Sequence, residues 1–384
     1  MLSLYDTARR RLVPFRPRGR DVTLYVCGVT PYDTTHLGHA RTFLIFDVLV
    51  RHLEASGLRV RYAQNVTDID ESILQRAAQR HRPWRELGRS EERKFLADMR
   101  ALGWRRPDVM PHAMREIDAM LALAERLERR GHAYRIPNGG LYYEVATFTR
   151  YGRLSRLAPA KMRRILAQQD DVRLDDPRKH APLDFALWRR VKDGPTWPSS
   201  YGPGRPGWHL ECSAMSLRHL GQPLDIHGGG DDLIFPHHES EIAQSEGANG
   251  KPFVRYWVHV APMKLGGEKM SKSKGNMVFV RDALQRVSAD GLRLYLMSTH
   301  YRRPFEHDDR ALREHEALAR DVRDLAVPAP RGAFPREATA ALEADLDTPK
   351  LVRLLRDTVR GKDADRATLL AGRLGLTRVP REVS

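Results

Sequence analysis

Two kinds of hydrophobic pattern follow one another near the amino terminus, one typical of a β-strand and one typical of an α-helix. Residues 22–27 are apolar and rich in β-branched side chains, which predicts a buried strand. From about His36 the apolar positions recur at helical spacing, and Gly57 suits the end of that helix. Residues 58–63 predict a second strand. Strand, helix and strand in this order predict a βαβ unit within a parallel sheet, whose ligands collect at the carboxyl ends of the strands.

The rest of the chain completes an α/β architecture. Helical spacing dominates from about residue 71 to residue 130, and the segment 131–206 looks like an irregular insertion. Strands and helices alternate again from residue 207, and the chain after Pro304 is helical and polar. We therefore predict a Rossmann-like parallel-sheet nucleotide-binding domain that carries an insertion, followed by a short α-helical C-terminal domain. The predicted boundaries are 1–130 and 207–302 for the two halves of the first domain, 131–206 for the insertion, and 303–384 for the helical domain.

Composition narrows the class of protein. Hydrophobic residues make up 41% and charged residues 30% of the 384 residues, which is ordinary for a soluble globular protein. No apolar run is long enough to span a bilayer, and the amino terminus lacks the pattern of a signal peptide, so we expect a cytoplasmic protein without a membrane partner. A net charge of +16 favours a polyanionic partner such as RNA, although the arginines that supply most of it are spread along the chain.

Two cysteines, Cys27 and Cys212, are the only ones in the chain, and a cytoplasmic location argues against their pairing as a disulfide. Proline suits the first position of a helix, so Pro236 predicts a helix start that places His237 and Glu241 four residues apart on one face. Imidazole, carboxylate and thiolate are all zinc ligands, so these side chains and the two cysteines are candidates for one zinc site. The alternative is an ordinary polar helix start with two inert buried thiols.

Three further motifs indicate nucleotide chemistry. His36-Leu37-Gly38-His39 follows the first strand, where two histidines at a helix start could face phosphates beside free backbone N–H groups. Five of the eleven lysines lie between positions 251 and 274, including Lys269 and Lys272, and a flexible ammonium can follow a phosphate during transfer. Gly228-Gly229-Gly230-Asp231-Asp232 could hold a base and ribose. A capped helix and two solvated loops are the competing interpretations.

Taken in order, these residues resemble the class I aminoacyl-tRNA synthetases, and within that class the cysteinyl-tRNA synthetases. The resemblance runs from Leu4 to about Arg302 and includes Asn65-Val66-Thr67-Asp68 and the long string from 202 to 215. It implies a cysteine–tRNA ligase that forms AMP, with cysteine, ATP with Mg²⁺, and tRNA as substrates, one zinc ion per chain, and a monomeric state.

The resemblance also implies a role for each matching position. Zinc would be held by Cys27, Cys212, His237 and Glu241 and would bind the substrate thiolate; the cysteine pocket would include Gly28, Thr67, Trp208 and His227. The catalytic residues would be His36, His39, Lys269 and Lys272. The residues that bind ATP would be Gly38, His39, Gly228, Gly229, Gly230, Asp232 and Lys272.

Two alternatives remain open at this point. Bacterial cysteinyl-tRNA synthetases continue past position 384 into an anticodon-reading domain, whereas the cysteine ligase of mycothiol synthesis has a similar catalytic domain and a similarly short end. That enzyme joins cysteine to an amino sugar, so a small-molecule amine is the alternative acceptor. His227, Glu241 and Arg41 favour the tRNA enzyme. A non-catalytic paralogue ranks last, because every expected catalytic position is filled.

Overall fold

The computed structural model describes residues 1–168, 174–191, 193–270 and 275–376. Its strands are β1 (Ser3–Asp6), β2 (Arg11–Pro14), β3 (Asp21–Val29), β4 (Arg59–Val66), β5 (Ala133–Ile136), β6 (Gly140–Tyr143), β7 (Phe185–Arg190), β8 (Gly204–Pro206), β9 (Leu224–Gly230), β10 (Val254–Val260), β11 (Met263–Leu265), β12 (Glu268–Lys269) and β13 (Phe305–Glu306). Its α-helices are α1 (Leu37–Ala55), α2 (Glu71–Gln79), α3 (Trp84–Ala101), α4 (Ile117–Arg129), α5 (Pro159–Leu166), α6 (Trp208–Leu220), α7 (Glu239–Asn249), α8 (Val280–Leu284), α9 (Ala289–Met297), α10 (Asp309–Leu325), α11 (Arg336–Glu343), α12 (Thr348–Arg360) and α13 (Ala364–Leu374).

A four-stranded parallel sheet in the order β10-β9-β3-β4 forms the centre of the molecule, which confirms the predicted α/β class. Tyr25 on β3 stands opposite His227 on β9, so the register places the ends of these strands side by side. Both predicted strands run further than expected, to Val29 and Val66. Because the strands are parallel, all their carboxyl ends meet at one edge of the sheet.

Helix α1 begins and ends where the sequence pattern indicates. His36 caps its amino end, and Gly57, just beyond its last turn, has a φ of +81° that favours glycine. Its apolar side chains, among them Phe46 and Val48, are fully buried in the same core as Leu24 and Ile226 of the sheet. Burial of this face fixes the amino end of α1 next to the carboxyl end of β3.

The prediction that 131–206 is irregular is wrong. This segment contains an antiparallel sheet in the order β5-β6-β7-β8 as well as helix α5. Its strands are only three to six residues long, so the alternation of buried and exposed positions is too short to detect in the sequence. Pairing with neighbouring strands, rather than local pattern, establishes the sheet.

Helices α10 to α13 make up most of the described chain after Pro304, as the polar helical pattern predicts. Helices α10 and α12 pack against α9, α13 packs against α1, and α11 packs against α12. The buried Arg293 of α9 forms an ion pair with Asp47 of α1 and donates hydrogen bonds to the carbonyls of Leu102 and Leu374. A single guanidinium therefore links the first half of the chain to its last helix. None of the described helices is both long and apolar enough to cross a membrane.

Candidate active site and metal centre

Four candidate ligands from distant parts of the chain converge at the carboxyl edge of the sheet. Cys27 lies near the end of β3, Cys212 lies on α6, and His237 and Glu241 lie on either side of the start of α7. One ligand atom from each lies within 4.8 Å of every other. All four side chains are buried, with exposed fractions between 0 and 6%.

The separations within this quartet suit a metal ion. The two Sγ atoms are 3.7 Å apart, close to the roughly 3.8 Å expected for two thiolates on one tetrahedral zinc with Zn–S bonds of about 2.3 Å. Cys27 Sγ lies 3.5 Å from Glu241 Oε1, and His237 Nε2 lies 3.2 Å from the same oxygen. Although it is buried and close to this oxygen, His237 Nε2 forms no hydrogen bond of proper geometry within the described part of the chain. A buried imidazole nitrogen without a hydrogen bond, beside two thiols and a carboxylate, matches the donor set of a zinc site.

The spacing of His237 and Glu241 depends on an irregular helix start. Residues Ile234–His238 form a wide turn in which Phe235 is extended, with φ −137° and ψ 130°, and the regular helix begins only at Glu239. The predicted start at Pro236 is therefore three residues early for the α-helix proper. The turn nevertheless continues into α7, so the two side chains remain one helical turn apart and meet.

Two histidines that sequence reasoning did not assign to the metal complete a second possible group, formed by Cys27, His227, His238 and Glu241. His238 Nε2 lies 3.3 Å from Cys27 Sγ, and its Nδ1 lies 2.7 Å from His259 Nε2. His227 Nε2 lies 2.9 Å from Glu241 Oε2. The sequence does show two adjacent histidines at positions 237 and 238, which indicates that either could be a ligand. It does not show which of the two rings faces the thiols.

Burial determines the protonation of the metal-free centre. It raises the pKa of the Cys27 thiol, an effect that Cys212 and then Glu241 strengthen, and it raises the pKa of the Cys212 thiol as well. It lowers the pKa of His237 well below the usual range, with a further contribution from His209. The thiols and the His237 imidazole are therefore neutral at neutral pH, and a cation would offset the cost of ionising the thiols.

The residues predicted to bind the amino acid surround this centre. The Gly28 N–H donates to Asn65 Oδ1 at 2.8 Å, and Asn65 Nδ2 donates to Thr67 Oγ1 at 3.2 Å, so one side chain joins the ends of β3 and β4. A methyl group at Gly28 would lie 1.7 Å from the carbonyl oxygen of Asn65, so the position accepts only glycine. The Trp208 and His237 ring centroids are 4.2 Å apart. Thr67, Trp208 and His227 therefore lie one or two contacts from a member of the quartet, and Gly28 is next to Cys27 in the chain.

The predicted phosphate-facing histidines lie at the start of α1. The His39 N–H donates to His36 Nδ1 at 3.2 Å, and the two rings are stacked with centroids 3.7 Å apart. The Leu37 N–H donates to Val278 O at 2.9 Å. Val278 belongs to the segment 275–279, which directly follows the lysine-rich motif in the chain. This backbone pairing therefore holds the start of α1 against that segment.

The glycine-rich segment and the lysine loop also meet. Lys269 Nζ lies 2.9 Å from Asp232 Oδ2, and both side chains are about half exposed. A methyl group at Gly228 would lie 2.3 Å from both Phe46 and the carbonyl oxygen of Val258. The packing of β9 against these two residues is therefore enough to require glycine at this position, without any ligand. At Gly230 the added methyl would meet the Asp232 carboxylate at 2.4 Å. Lys272 lies outside the described residues.

The chain is similar to a known family over most of its length. The family described as tRNA synthetases class I (C) catalytic domain matches residues 15–317. A protein named cysteine–tRNA ligase from Anaeromyxobacter sp. (strain K) is 44% identical over 381 residues, which covers 93% of this chain and 76% of the relative. One of the same name from Methylococcus capsulatus is 44% identical over 373 residues, covering 94% and 79%.

Solved structures show the same fold at low sequence identity. Mycobacterium tuberculosis methionyl-tRNA synthetase in complex with methionyl-adenylate has a TM-score of 0.63 and 18% identity, covering 93% of this chain and 82% of its own. A ternary complex of Agrobacterium radiobacter LeuRS, tRNA and LeuAMS has a TM-score of 0.62 and 12% identity, covering 94% and 83%. At these identities the likeness concerns the fold.

Proposed function

Because the chain belongs to the class I tRNA synthetase family of type C, we propose that it activates cysteine with ATP and transfers the cysteinyl group to tRNA. The observation that carries the proposal is the convergence of Cys27, Cys212, His237 and Glu241 in one buried group at the carboxyl edge of the parallel sheet. Relatives that match more than 90% of this chain, and that are themselves longer, are named cysteine–tRNA ligase.

Selection of cysteine over serine would depend on the buried quartet. We assign Cys27, Cys212, His237 and Glu241 as zinc ligands in preference to the second group, because two thiolates suit zinc better than one and because His238 is held by His259. Bound zinc would supply a soft Lewis acid that prefers the substrate thiolate to a hydroxyl. A hydrophobic pocket alone separates substrates that differ by one small group by only roughly 10–200-fold.

The remaining side of the pocket orients the substrate. Trp208 packs on His237, with ring centroids 4.2 Å apart, so its indole would border the bound amino acid next to this ligand. Asn65 accepts from the Gly28 N–H and donates to Thr67, so it holds the two strand ends together where the amino acid would bind. These groups would hold the carboxylate of cysteine toward the nucleotide side of the site, which converts a bimolecular attack into a positioned one.

No protein nucleophile is required by the two steps. The cysteine carboxylate attacks the α-phosphate of ATP and pyrophosphate leaves; a ribose hydroxyl at the end of the acceptor then attacks the adenylate carbonyl, and AMP leaves. His36, His39, Lys269 and Lys272 would stabilise the negative charge on the phosphates of ATP, whose Mg²⁺ shares this task, and Asp232 with Gly228, Gly229 and Gly230 would hold the adenosine. The pairing of 36–37 with 278–279 supports this arrangement.

The test is charging of bulk tRNA with labelled cysteine by the purified protein, ATP and zinc. Acid-stable label on tRNA is the expected result. If the protein forms AMP in the presence of cysteine but leaves tRNA unlabelled, the acceptor is a small-molecule amine and the proposal of a tRNA ligase is wrong. A protein that forms no AMP with cysteine would contradict both.

A further inference from the structure

Helix α3 carries two buried carboxylates on the face that it turns toward the segment before α1. Glu91 and Asp98 are seven residues apart, which is about two helical turns and places them on the same face of α3. Glu91 is 2% exposed and Asp98 is 7% exposed. Carboxylates are rarely buried to this extent unless partners offset the cost. The partners of these two connect α3 to Thr34, which lies two residues before His36.

Glu91 holds Thr34 directly. The Thr34 backbone N–H donates to Glu91 Oε2 at 3.1 Å, and the Thr34 hydroxyl donates to the Glu91 backbone carbonyl at 2.7 Å. The other carboxylate oxygen, Oε1, lies 2.6 Å from Lys94 Nζ. Thr34 is only 3% exposed, so loss of the carboxylate would leave its N–H buried without this acceptor. A buried donor in that state costs free energy, which displacement of the backbone would relieve.

Asp98 reaches the same residue through Arg281. Arg281 Nη2 donates to Asp98 Oδ2 at 3.0 Å and to the Thr34 carbonyl oxygen at 3.3 Å. Arg281 belongs to α8, a few residues after the lysine-rich motif, and the preceding Val280 N–H donates to the Thr35 carbonyl at 2.8 Å. The backbone that leads into α1 is therefore held from one side by α3 and from the other by the start of α8.

The same face of α3 also supports the ring of a proposed catalytic histidine. Phe95 lies between the two carboxylates along the helix, and its ring packs edge-on against Phe43 with centroids 5.6 Å apart. Phe43 in turn stacks on His39, with centroids 6.2 Å apart. Helix α3 thus fixes the backbone before His36 and supports the ring of His39.

Building on the proposed function, we propose that Glu91 is a positioning residue for the activation step, which fixes the backbone before α1 so that His36 and His39 face the phosphates of ATP. Catalytic groups lower a barrier only where their geometry is held, and a displacement of about 1 Å can cost about 100-fold in rate. Within the described part of the chain Glu91 contacts no proposed zinc ligand. Its effect therefore belongs to the rate of activation and not to the binding of cysteine.

The test compares Glu91→Ala with Glu91→Gln in cysteine-dependent pyrophosphate exchange. Both variants lose the ion pairs with Lys94 and Arg80, so both should melt at a lower temperature. The glutamine keeps an oxygen that can accept from the Thr34 N–H, whereas alanine does not. We expect kcat, expressed per bound zinc ion, to fall at least about tenfold in Glu91→Ala and less than about threefold in Glu91→Gln. The KM for cysteine and the zinc content should be unchanged in both.

Glu316→Ala is the matched control. Glu316 on α10 accepts from the backbone N–H and the hydroxyl of Ser288 at 2.7 and 2.6 Å, so its loss also leaves a backbone N–H without its carboxylate. This variant should melt at a lower temperature and keep the wild-type kcat.

Equal kcat in the two Glu91 variants, whether both are fast or both are slow, would contradict the positioning role, because the acceptor for Thr34 would then have no effect of its own. A raised KM for cysteine or a loss of zinc in Glu91→Ala would show damage to the cysteine site and would contradict it too. A wild type without cysteine-dependent exchange would instead contradict the proposed function, so the two failures are distinguishable.

Discussion

The thiols of Cys27 and Cys212 lie 3.7 Å apart although 185 residues separate them in the chain. A disulfide would require a sulfur–sulfur distance of about 2.05 Å, whereas two ligands of one tetrahedral ion stand at about the observed separation. Both thiols are buried, and each contacts a second polar group, Glu241 or Asn65. The relationship therefore makes a metal centre the simplest use of the only two cysteines in the sequence.

Replacement of one thiol tests this centre directly. Cys212→Ser removes a soft ligand with little change in volume, so we expect at least tenfold weaker zinc binding and reduced preference for cysteine over serine. Zinc content by elemental analysis and pyrophosphate exchange with each amino acid provide the measurements. Ser216→Ala on the same helix α6 is the matched control and should keep its metal. Loss of zinc with unchanged selection of cysteine would contradict thiol selection by the metal.

The contact between Lys269 and Asp232 predicts a catalytic effect without a stability effect. The pair is about half exposed, and such ion pairs contribute little to folding. Lys269→Ala should therefore leave the melting temperature unchanged, yet slow pyrophosphate exchange about 100-fold because a charge that follows the leaving phosphates is lost. Lys251→Ala, an exposed lysine of the same part of the chain, is the control. Equal rates for the two variants would remove Lys269 from the mechanism.

Gly38 allows stability and activity to be separated. An added methyl would lie 3.0 Å from the His36 ring, so Gly38→Ala should displace this ring and slow pyrophosphate exchange about tenfold or more. Because alanine favours a helix over glycine by about 0.5–1 kcal/mol, the free energy of unfolding should not fall. Gly88→Ala in α3, where the methyl meets nothing within 4 Å, should stabilise the protein and leave activity unchanged. A stable, fully active Gly38→Ala variant would contradict the assigned role of His36.

His112 predicts a pH dependence of stability. Hydrogen bonds to Asp68 and then Glu92, at 3.1 and 3.3 Å, raise its pKa from the usual 6.5 to about 9. Its protonated form is favoured in the folded state, so this contribution is complete below pH 6.5 and disappears as the pH rises through about 9.

Chemical denaturation at several pH values measures this contribution. The difference in unfolding free energy between the wild type and His112→Gln should be large at about pH 6 and should vanish at about pH 10. His180→Gln, which removes an exposed histidine from the insertion, is the surface control. A constant difference between the wild type and His112→Gln across this range would show that the ion pairs do not form in solution.

The sequence by itself determined the chemistry and the local geometry. Apolar spacing located β3, α1 and β4, because a strand and a helix each impose a period that is visible over a few residues. The i,i+4 separation predicted that His237 and Glu241 meet, and their atoms are 3.2 Å apart. Ordered motifs also indicated the family, since a short constellation of reactive side chains in fixed order carries more information than composition.

Only the tertiary structure decided what depends on contacts between distant segments. It brought Cys27 to Cys212 and formed a sheet from the short strands of the insertion. It also gave Gly228 a packing role that its place in a glycine run does not reveal. Strand register and the packing of α6 and α7 determine these relationships. Neither produces a periodic pattern of apolar residues in the sequence, because both depend on burial against partners that are far away along the chain.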